Sequence, residues 1–291
     1  MTDELTATGR IHQRRESGER ILVIGDGPVA RALSLGLARA SARVDRWWRK
    51  QGGTLPAADV VVLAVRDTAI GEVAARVMGS LSSDATLPIL LHCAGALPAE
   101  APFAGLQRRP LGVGLLHPLR ALAGAADDAE LGGTVFGVEG DEPGRDAALR
   151  LVRRLGGEAL ELDAGQLARY HAAAVLVSNH AVGLVDAGAE LLMSVGLPRD
   201  EAVHALAGLL ASAAANLQEV GLPKALTGPI ARGDVDGVAR HLLALAPSRE
   251  LLALYRTTAR RVTKVAAEKG GATADALERI RALLGPSSDG D

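Results

Sequence analysis

The sequence is poor in cysteine and in aromatic residues, and its charges almost cancel. Its one cysteine, Cys93, excludes an internal disulfide and a cysteine-rich metal site, which is typical of a cytoplasmic protein. Two residues each of Phe, Trp and Tyr leave few rings on which single-stranded nucleic acid could stack. A formal net charge of −2 gives no field that would attract nucleic acid or a membrane surface. We therefore expect a cytoplasmic protein. We expect it to bind no nucleic acid, no membrane and no metal.

Long apolar runs are also missing. The apolar runs at 60–65 and 88–91 are much shorter than the roughly 18 residues that a membrane helix requires. Residues 1–19 are polar and charged, without the apolar run of a secretory signal, and they predict a flexible tail, as does the segment 285–291. The chain has 291 residues, of which 48% are hydrophobic, and this is enough for two domains.

Short apolar segments, several of them separated by helical patterns, fill the first half of the chain. They predict strands at residues 20–24, 43–47, 60–65, 87–92, 111–116, 134–138 and 158–162. Later segments predict helices at 166–195, 199–220 and 250–269, and a shorter helix that Asp234 caps and that ends near Leu245. Strands that alternate with helices are typical of a parallel sheet covered by helices. The sequence thus predicts an α/β Rossmann domain with a mostly parallel sheet over residues 20–163, followed by an all-α domain over residues 164–291.

A glycine motif follows the first predicted strand and opens the first predicted helix. Gly25 permits a tight turn, Gly27 lets backbone amides approach a pyrophosphate, and Ala30 allows the helix to pack closely on the strand. Pro28 and Val29 begin the helix, whose N-terminal end favours phosphate. A tight turn without a ligand is the alternative, but the order strand, turn, helix favours a dinucleotide site.

The end of the second predicted strand indicates which dinucleotide binds. An acidic residue there would bind the ribose 2′-hydroxyl of NAD, whereas an arginine suits the 2′-phosphate of NADP. Trp48 stands where the carboxylate is expected, while Asp45 lies within the strand. Arg49 and Lys50 follow Trp48 and would also suit a basic corner that faces only solvent. We favour NADP or NADPH as the cofactor, with Arg49 as the partner of its phosphate.

Two further strand ends lie where ligands bind in such folds. Ala64, Val65 and Arg66 are expected to carry the backbone past the cofactor. The segment 92–95 is expected beside the nicotinamide, with the role of its histidine left open. For Cys93 a small buried thiol is a better interpretation than a nucleophile, because nothing nearby in sequence would lower its pKa.

Polar side chains also interrupt apolar segments later in the chain. His117 ends a predicted strand and either lines the site or is a hydrogen-bonded turn histidine. Ser178 and Asn179 follow His171 by seven and eight residues, which places all three on one face of a continuous helix. Such a polar seam needs partners, which a ligand or a second helix in a dimer core would supply. Arg232 lies in a glycine-flanked loop that either presents it to a carboxylate or only connects two helices.

Together these segments resemble the Rossmann-like proteins with a C-terminal domain of the DUF2520 type, from residue 20 to about residue 245. The matching stretches are Gly25-Asp26-Gly27-Pro28-Val29-Ala30, Leu63-Ala64-Val65-Arg66-Asp67, Gly114-Leu115-Leu116-His117-Pro118-Leu119, Tyr170-His171-Ala172-Ala173-Ala174 with Asn179, and Leu226-Thr227-Gly228-Pro229-Ile230-Ala231-Arg232-Gly233-Asp234. That family is similar to ketopantoate reductase, pyrroline-5-carboxylate reductase, 3-hydroxyisobutyrate dehydrogenase and prephenate dehydrogenase. The resemblance implies a nicotinamide enzyme with a helical second domain.

The resemblance departs from these relatives at the site of chemistry. Where the hydroxyacid dehydrogenases have a catalytic lysine, this sequence has His171. The pair His117-Pro118 resembles the His-Pro of the prephenate dehydrogenases, but the rest of that pattern is missing. The relatives therefore do not identify the substrate.

The favoured hypothesis is an NADP-dependent oxidoreductase that transfers a hydride to a small oxo acid bound between the domains, with ketopantoate suggested by the resemblance. Arg232 would anchor the substrate carboxylate, Asn179 would polarise the carbonyl, and His171 would give the proton, because histidine side chains titrate near neutral pH. His117 is the next candidate for the donor. The alternatives are an NADP-binding sensor or assembly protein without turnover, and a reductase of another acceptor such as a cyclic imine, a deazaflavin or a prephenate-like compound. A homodimer built from the apolar helices after Asp163 is expected.

Overall fold

A seven-stranded sheet forms the centre of the first part of the chain in the computed structural model, which describes residues 18–124 and 130–286. The strands are β1 Arg20–Ile24, β2 Arg43–Trp47, β3 Val60–Leu63, β4 Ile89–His92, β5 Gly112–Pro118, β6 Val135–Gly140 and β7 Glu158–Glu161. Each of the seven predicted strands is therefore confirmed, with shifts of a few residues at some ends. The spatial order is β2-β1-β3-β4-β5-β6-β7.

All neighbouring strands run parallel except β5 and β6, which pair antiparallel with His117 opposite Gly137. A parallel crossover needs a connection of a dozen or more residues that is usually a helix. The described residues between β5 and β6, which are 119–124 and 130–134, contain no helix. The sheet is thus mostly parallel, as predicted, and the carboxyl ends of β1, β3, β4 and β5 meet at one edge.

Helices cover both faces of this sheet. Helix α1 (Pro28–Arg39) and helix α3 (Glu142–Arg154) pack on one face, and helix α2 (Ile70–Gly79) packs on the other. The central strands are buried on both sides, so that their sequences read as continuous apolar runs instead of alternating ones. This double burial makes the central strands recognisable from sequence and gives the carboxyl edge of the sheet a rigid base.

The helix predicted over residues 166–195 is wrong as a single element. Helix α4 (Leu167–Val177) and helix α5 (Asn179–Ser194) are separated at Ser178, whose backbone has φ −110° and ψ −72°. The Ser178 hydroxyl donates to the Ala174 carbonyl at 2.7 Å. Such bonds from serine to the preceding turn compete with the helix and bend it. The expectation that His171, Ser178 and Asn179 share one helical face therefore fails across the break.

Most of the helical segment Ala164–Ser194 is exposed. It is long and apolar enough to cross a membrane by length and composition, with a mean hydropathy of 1.3 over its most apolar window, of which 6% is buried. It is the one helical segment with these properties among residues 18–124 and 130–286, and a single segment of this kind is weak evidence of a membrane span. The expectation from short apolar runs did not anticipate this segment. Isolated polar residues interrupt its apolar runs but leave the mean hydropathy of the window high.

The described residues form two compact units, and the division falls after Asn179. The second unit contains α5 beyond Asn179 and the helices α6 Arg199–Val220, α7 Pro229–Arg232, α8 Val235–Leu245, α9 Arg249–Lys269 and α10 Ala274–Leu284. Helices α7 to α10 surround a core that includes Val238, Ala266 and Ile280. The domain boundary at residue 163 stays a prediction. The predicted tails at 1–19 and 285–291 fall for the most part, at 1–17 and 287–291, outside the described residues.

Candidate functional site

The turn between β1 and α1 leaves no room for a side chain at Gly25. Its φ is +149°, and a Cβ there would collide with the Ala64 carbonyl oxygen. The same Cβ would lie 3.0 Å from the Cβ of Ala30, which is fully buried under the turn. The Gly25 N–H donates to the Trp47 carbonyl at 2.9 Å and ties the turn to the end of β2. The tight turn and the close helix packing that the motif predicts are therefore present.

Gly27 differs from Gly25 because its surroundings are open. Its φ of −75° suits any residue, and no atom lies within 4 Å of the position a Cβ would take. Gly27 is the N-cap of α1, which begins with Pro28 and has neither a side-chain cap nor an acidic residue in its first turn. The N–H groups of Val29 and Ala30 lack intrahelical partners in such a turn. This open, uncapped helix end fits the pyrophosphate of a dinucleotide.

A basic corner lies beside this turn at the end of β2. Trp47 pairs with Ile24 of β1, which places Trp48 next to the Gly25 turn. The predicted phosphate partner Arg49 is exposed on the 3₁₀ turn Arg49–Gln51. The guanidinium of Arg46 lies 4.7 Å from the centre of the Trp48 ring.

Arg46 is a candidate that the sequence interpretation missed. Its Nη1 is buried and has no hydrogen-bond partner within the part of the chain that the structure describes. Because side chains alternate along a strand, Arg46 lies on the same face as Trp48. Trp47 faces the other way, into the core, where its indole N–H donates to the Gly52 carbonyl at 2.9 Å. Two arginines therefore remain available at this corner.

A cluster of a tyrosine and two histidines lies at the carboxyl end of β5. The hydroxyl of Tyr170, on α4, lies 2.9 Å from Nδ1 of His117 and 3.2 Å from the His117 carbonyl oxygen. The Gly137 N–H donates to the same hydroxyl at 3.2 Å. Gly137 lies opposite His117 in the β5–β6 pair, and a Cβ on it would be 2.8 Å from the Tyr170 ring. The absence of a side chain at Gly137 therefore lets the tyrosine reach the histidine.

The second histidine completes this cluster. The rings of His117 and His171 are 5.8 Å apart at 76°. Nδ1 of His171 is buried and has no hydrogen-bond partner among the described residues. Because buried polar atoms are normally paired, this nitrogen is a suitable contact for a ligand atom. The sequence named both histidines but not Tyr170, which was visible only as a neighbour of His171 in the motif.

Burial, together with the neighbouring His171 and His92 and against the opposing effect of Asp67, lowers the pKa of His117 to about 4. His117 is therefore neutral at pH 7. Burial also lowers the pKa of His92 to about 4. The ring of His92 is fully buried, and its Nδ1 accepts from the Ala94 N–H at 3.2 Å, which leaves the proton on Nε2.

The thiol of Cys93 is inert at neutral pH. Burial raises its pKa to about 12, and the side chain packs against the apolar core on the α1 face of the sheet. A nucleophile requires the opposite, a lowered pKa and access to substrate. The geometry therefore favours the buried-thiol interpretation. Gly95, two residues on, packs against the His117 ring, because a Cβ on it would lie 2.8 Å from Nε2 and Cδ2.

The other predicted site residues lie in different surroundings. Ala64 follows β3 and donates its N–H to the Ile24 carbonyl at 2.9 Å, while Val65 is half-buried and Arg66 is exposed. Asn179 is exposed at the start of α5, where its side-chain oxygen lies 2.9 Å from the Ser178 hydroxyl oxygen. Arg232 is exposed on the four-residue helix α7 of the second unit. Their proposed roles stay predictions.

One family model matches a part of the chain that begins just before β6. Residues 134–262 match the model of DUF2520, a domain of unknown function. This match spans less than half of the chain and shows a similarity to that domain over these residues. No curated protein matches the sequence.

Solved structures with the same fold cover most of the chain. A Thermotoga maritima protein is 22% identical with a TM-score of 0.66, covering 86% of this chain and 99% of its own. A Bacteroides fragilis protein named as an NADP oxidoreductase is 21% identical with a TM-score of 0.64, over 85% of this chain and 99% of its own. A Plasmodium falciparum pyrroline carboxylate reductase with NADP bound is 14% identical with a TM-score of 0.55, over 92% of this chain and 99% of its own. At these identities the likeness establishes the fold.

The DUF2520 domain includes only part of the candidate site. It begins just before β6 and contains Gly137, Tyr170 and His171, whereas Gly25 and His117 precede it. The cluster around His117 therefore joins β5, the last strand before the matched residues, to β6 and α4 within them. This arrangement explains why neither the nucleotide motif nor the DUF2520 domain alone defines the site.

Proposed function

We propose that the chain is an NADP-dependent oxidoreductase that reduces a small oxo acid, with ketopantoate as the leading substrate. One observation carries the proposal: the open helix end at Gly27 and the cluster of Tyr170 with two histidines are built at the carboxyl edge of one sheet. Ligands of open α/β sheets bind at this edge. Two of the solved structures of the same fold carry NADP in their names, which supports the choice of cofactor.

The roles in the reaction follow from the chemistry of reduction. Bound NADPH supplies a hydride to the carbonyl carbon, and the carbonyl oxygen must gain a proton to become an alcohol. His171 gives that proton in our proposal, because its Nδ1 is buried without a partner in the described part of the chain and its ring lies 5.8 Å from His117. The predicted contributions of Asn179 to the carbonyl and of Arg232 to the carboxylate remain part of the proposal.

The test of this function is consumption of NADPH across a panel of acceptors. We expect absorbance of NADPH to fall fastest with ketopantoate or another small oxo acid. Preference for a cyclic imine, a prephenate-like compound or a deazaflavin would identify a reductase of another acceptor. Saturable NADPH binding without consumption by any acceptor would instead establish a sensor or assembly protein, the alternative that the histidine in place of the relatives' lysine favours.

Selectivity for NADPH is expected to depend on Arg49. Arg49→Ala should weaken NADPH binding by about 1.5–3 kcal/mol, the loss of a charge-assisted hydrogen bond, and should leave NADH almost unchanged. Calorimetric titration of both cofactors measures this, and Trp48 fluorescence reports it independently. Arg43→Ala is the matched control, because Arg43 is exposed at the opposite end of the same strand.

Arg46→Ala separates the two arginines of this corner. If NADPH weakens in this variant and not in Arg49→Ala, the phosphate partner is Arg46. Equal affinity of the unaltered protein for NADPH and NADH would remove the argument for NADP altogether.

We also propose a homodimer that pairs through α5 and α6. The only buried side chains of these helices are Ala189 on α5 and Ala202 on α6, although both helices are rich in Leu, Val and Ala. Helices of 16 and 22 residues offer enough surface for a standard interface of roughly 20–30 residues a side. A second copy fits because a two-fold axis lets one apolar patch cover its own equivalent.

Light scattering at micromolar concentration tests this dimer. We expect twice the chain mass of 29.9 kDa. Leu209→Glu, at a side chain 66% exposed on α6, should give the monomer. Leu243→Glu is the control, since Leu243 is 75% exposed but lies on α8. A monomer before any substitution would refute the dimer.

A further inference from the structure

We propose that Tyr170 holds His117 in the neutral form that carries its proton on Nε2, so that His117 donates a hydrogen bond to the carbonyl oxygen of the substrate. This role rests on the proposed reduction of an oxo acid, and it gives His117 a share in the polarisation of the carbonyl that the proposed function assigns to Asn179. Tyr170 is then a positioning residue that acts through the histidine.

The hydrogen bonds around the Tyr170 hydroxyl favour this arrangement. Its oxygen accepts from the Gly137 N–H at 3.2 Å, so that its own proton is free to go to another acceptor. Two acceptors are in reach, Nδ1 of His117 at 2.9 Å and the His117 carbonyl oxygen at 3.2 Å. The shorter contact has the length of a normal hydrogen bond. If the hydroxyl donates this bond, Nδ1 is the acceptor and carries no hydrogen of its own. In a neutral imidazole the other nitrogen, Nε2, then carries the hydrogen.

The phenol of Tyr170 is suited to remain the donor. Burial raises its pKa, and the Gly137 N–H opposes this only in part. The charged and titratable groups that act on His117 are His171, Asp67 and His92, and burial outweighs all three. His117 thus stays neutral at the pH where the phenol also stays protonated, and a neutral imidazole polarises a carbonyl by donating a hydrogen bond.

Nε2 of His117 is available to a ligand, and a glycine makes room for the ring that carries it. His117 is only half-buried, and its Nε2 has no hydrogen-bond partner within residues 18–124 and 130–286. A Cβ on Gly95 would lie 2.8 Å from this nitrogen. This position is almost equally close to Cδ2 and Cε1, so that a side chain at residue 95 would press on the face of the ring and displace it, whereas glycine leaves the ring and its Nε2 in place.

The second histidine allows charge stabilisation and proton donation at the carbonyl oxygen to come from different residues. His171 lies edge-on to His117 at 5.8 Å, so that both rings can approach one bound oxygen. His117 would stabilise the charge that develops on this oxygen, and His171 would give the proton. A single group does not have to do both.

Nitrogen-15 NMR of the imidazole rings in the ligand-free protein tests the proposal directly. We expect the His117 ring to be neutral with its hydrogen on Nε2 between pH 6 and pH 8, roughly the range over which an unperturbed histidine titrates. In Tyr170→Phe this preference should disappear, because Nδ1 loses its donor. Tyr255→Phe is the matched control, since the Tyr255 hydroxyl makes the same contact, at 3.0 Å, with Nδ1 of His241 in the second unit.

Kinetics supply the second measurement. Tyr170→Phe should lower kcat by up to about 10²-fold, the effect of losing one donor to a developing oxyanion, with little change in NADPH affinity. Hydrogen on Nδ1 of His117 in the unaltered protein would overturn the proposal without any variant. An unchanged His117 spectrum in folded Tyr170→Phe would overturn it as well. A panel without NADPH turnover would refute the proposed function but leave the NMR result standing, so that the two failures are distinguishable.

Discussion

Gly25→Ala is expected to destabilise the protein by about 2–5 kcal/mol and to abolish NADPH binding. Two costs combine in this variant. The backbone at Gly25 has φ +149°, a region that side chains rarely enter, and the added Cβ would collide with the carbonyl oxygen of Ala64. Relief of the collision would move the turn away from β3 and displace the end of α1. Denaturant unfolding and calorimetric titration measure the two effects.

Gly27→Ala is the control that separates the fold from the ligand. No atom lies within 4 Å of the added Cβ, and φ is −75°. Stability should therefore change by at most about 1 kcal/mol, the cost of replacing glycine by alanine at an N-cap. NADPH should nevertheless bind at least roughly tenfold more weakly, or about 1.4 kcal/mol, because the methyl group occupies the approach of the pyrophosphate.

One result with these two variants would contradict the predicted position of the cofactor. If Gly27→Ala binds NADPH as tightly as the unaltered protein, the pyrophosphate does not lie at the end of α1. The motif would then be the structural turn that the sequence left open as its alternative. Loss of stability in Gly25→Ala would be expected under both interpretations.

The sheet was predictable from the sequence because its central strands are buried on both faces. Val60 to Leu63 are all buried, and a run of four apolar residues between turn signals can be recognised without knowledge of its partners. Helix α6 was predicted with its observed bounds for a local reason as well. Pro198 precedes it and Gly221, with φ +63°, ends it.

The break at Ser178 and the contacts of the site were harder to predict, because neither leaves a recognisable pattern in the local sequence. A serine that bonds to the preceding turn looks the same in sequence as one that faces solvent. Tyr170 and His117 are 53 residues apart, and their hydrogen bond depends on the pairing of β5 with β6. The register that places Gly137 under the tyrosine ring belongs to the tertiary structure. One sequence gives the residue types of such a site but not their contacts.

The contact of Arg46 with Trp48 was also missed in the sequence. Sequence position singled out Arg49, because it follows the strand where a phosphate partner is expected. Alternation along β2 places Arg46 with Trp48, and the cation–π contact at 4.7 Å makes this visible. The alternation could have been read from the sequence, but a charged residue inside a strand is normally assigned to the solvent face.

His171→Ala is expected to lower turnover by about 10²–10⁴-fold, the usual contribution of a positioned general acid, while NADPH affinity changes little. The reason is the geometry of its ring, which lies 5.8 Å from His117 and presents a buried Nδ1 without a partner among the described residues. His180→Ala is the matched control, because His180 is an exposed histidine on the next helix. Stopped-flow measurement of NADPH oxidation gives the rate.

Thermal melting and pH distinguish a proton donor from a structural histidine. A donor acts in its protonated form, so that the reductive rate of the unaltered protein should fall as pH rises. In His171→Ala this fall should disappear and the melting temperature should stay close to that of His180→Ala. If the variant keeps full turnover, or if it melts early and loses NADPH binding together with activity, His171 is not the donor. His117 would then be the next candidate, but its pKa of about 4 leaves it neutral at pH 7, so that it would have to give the proton from Nε2 without first becoming charged.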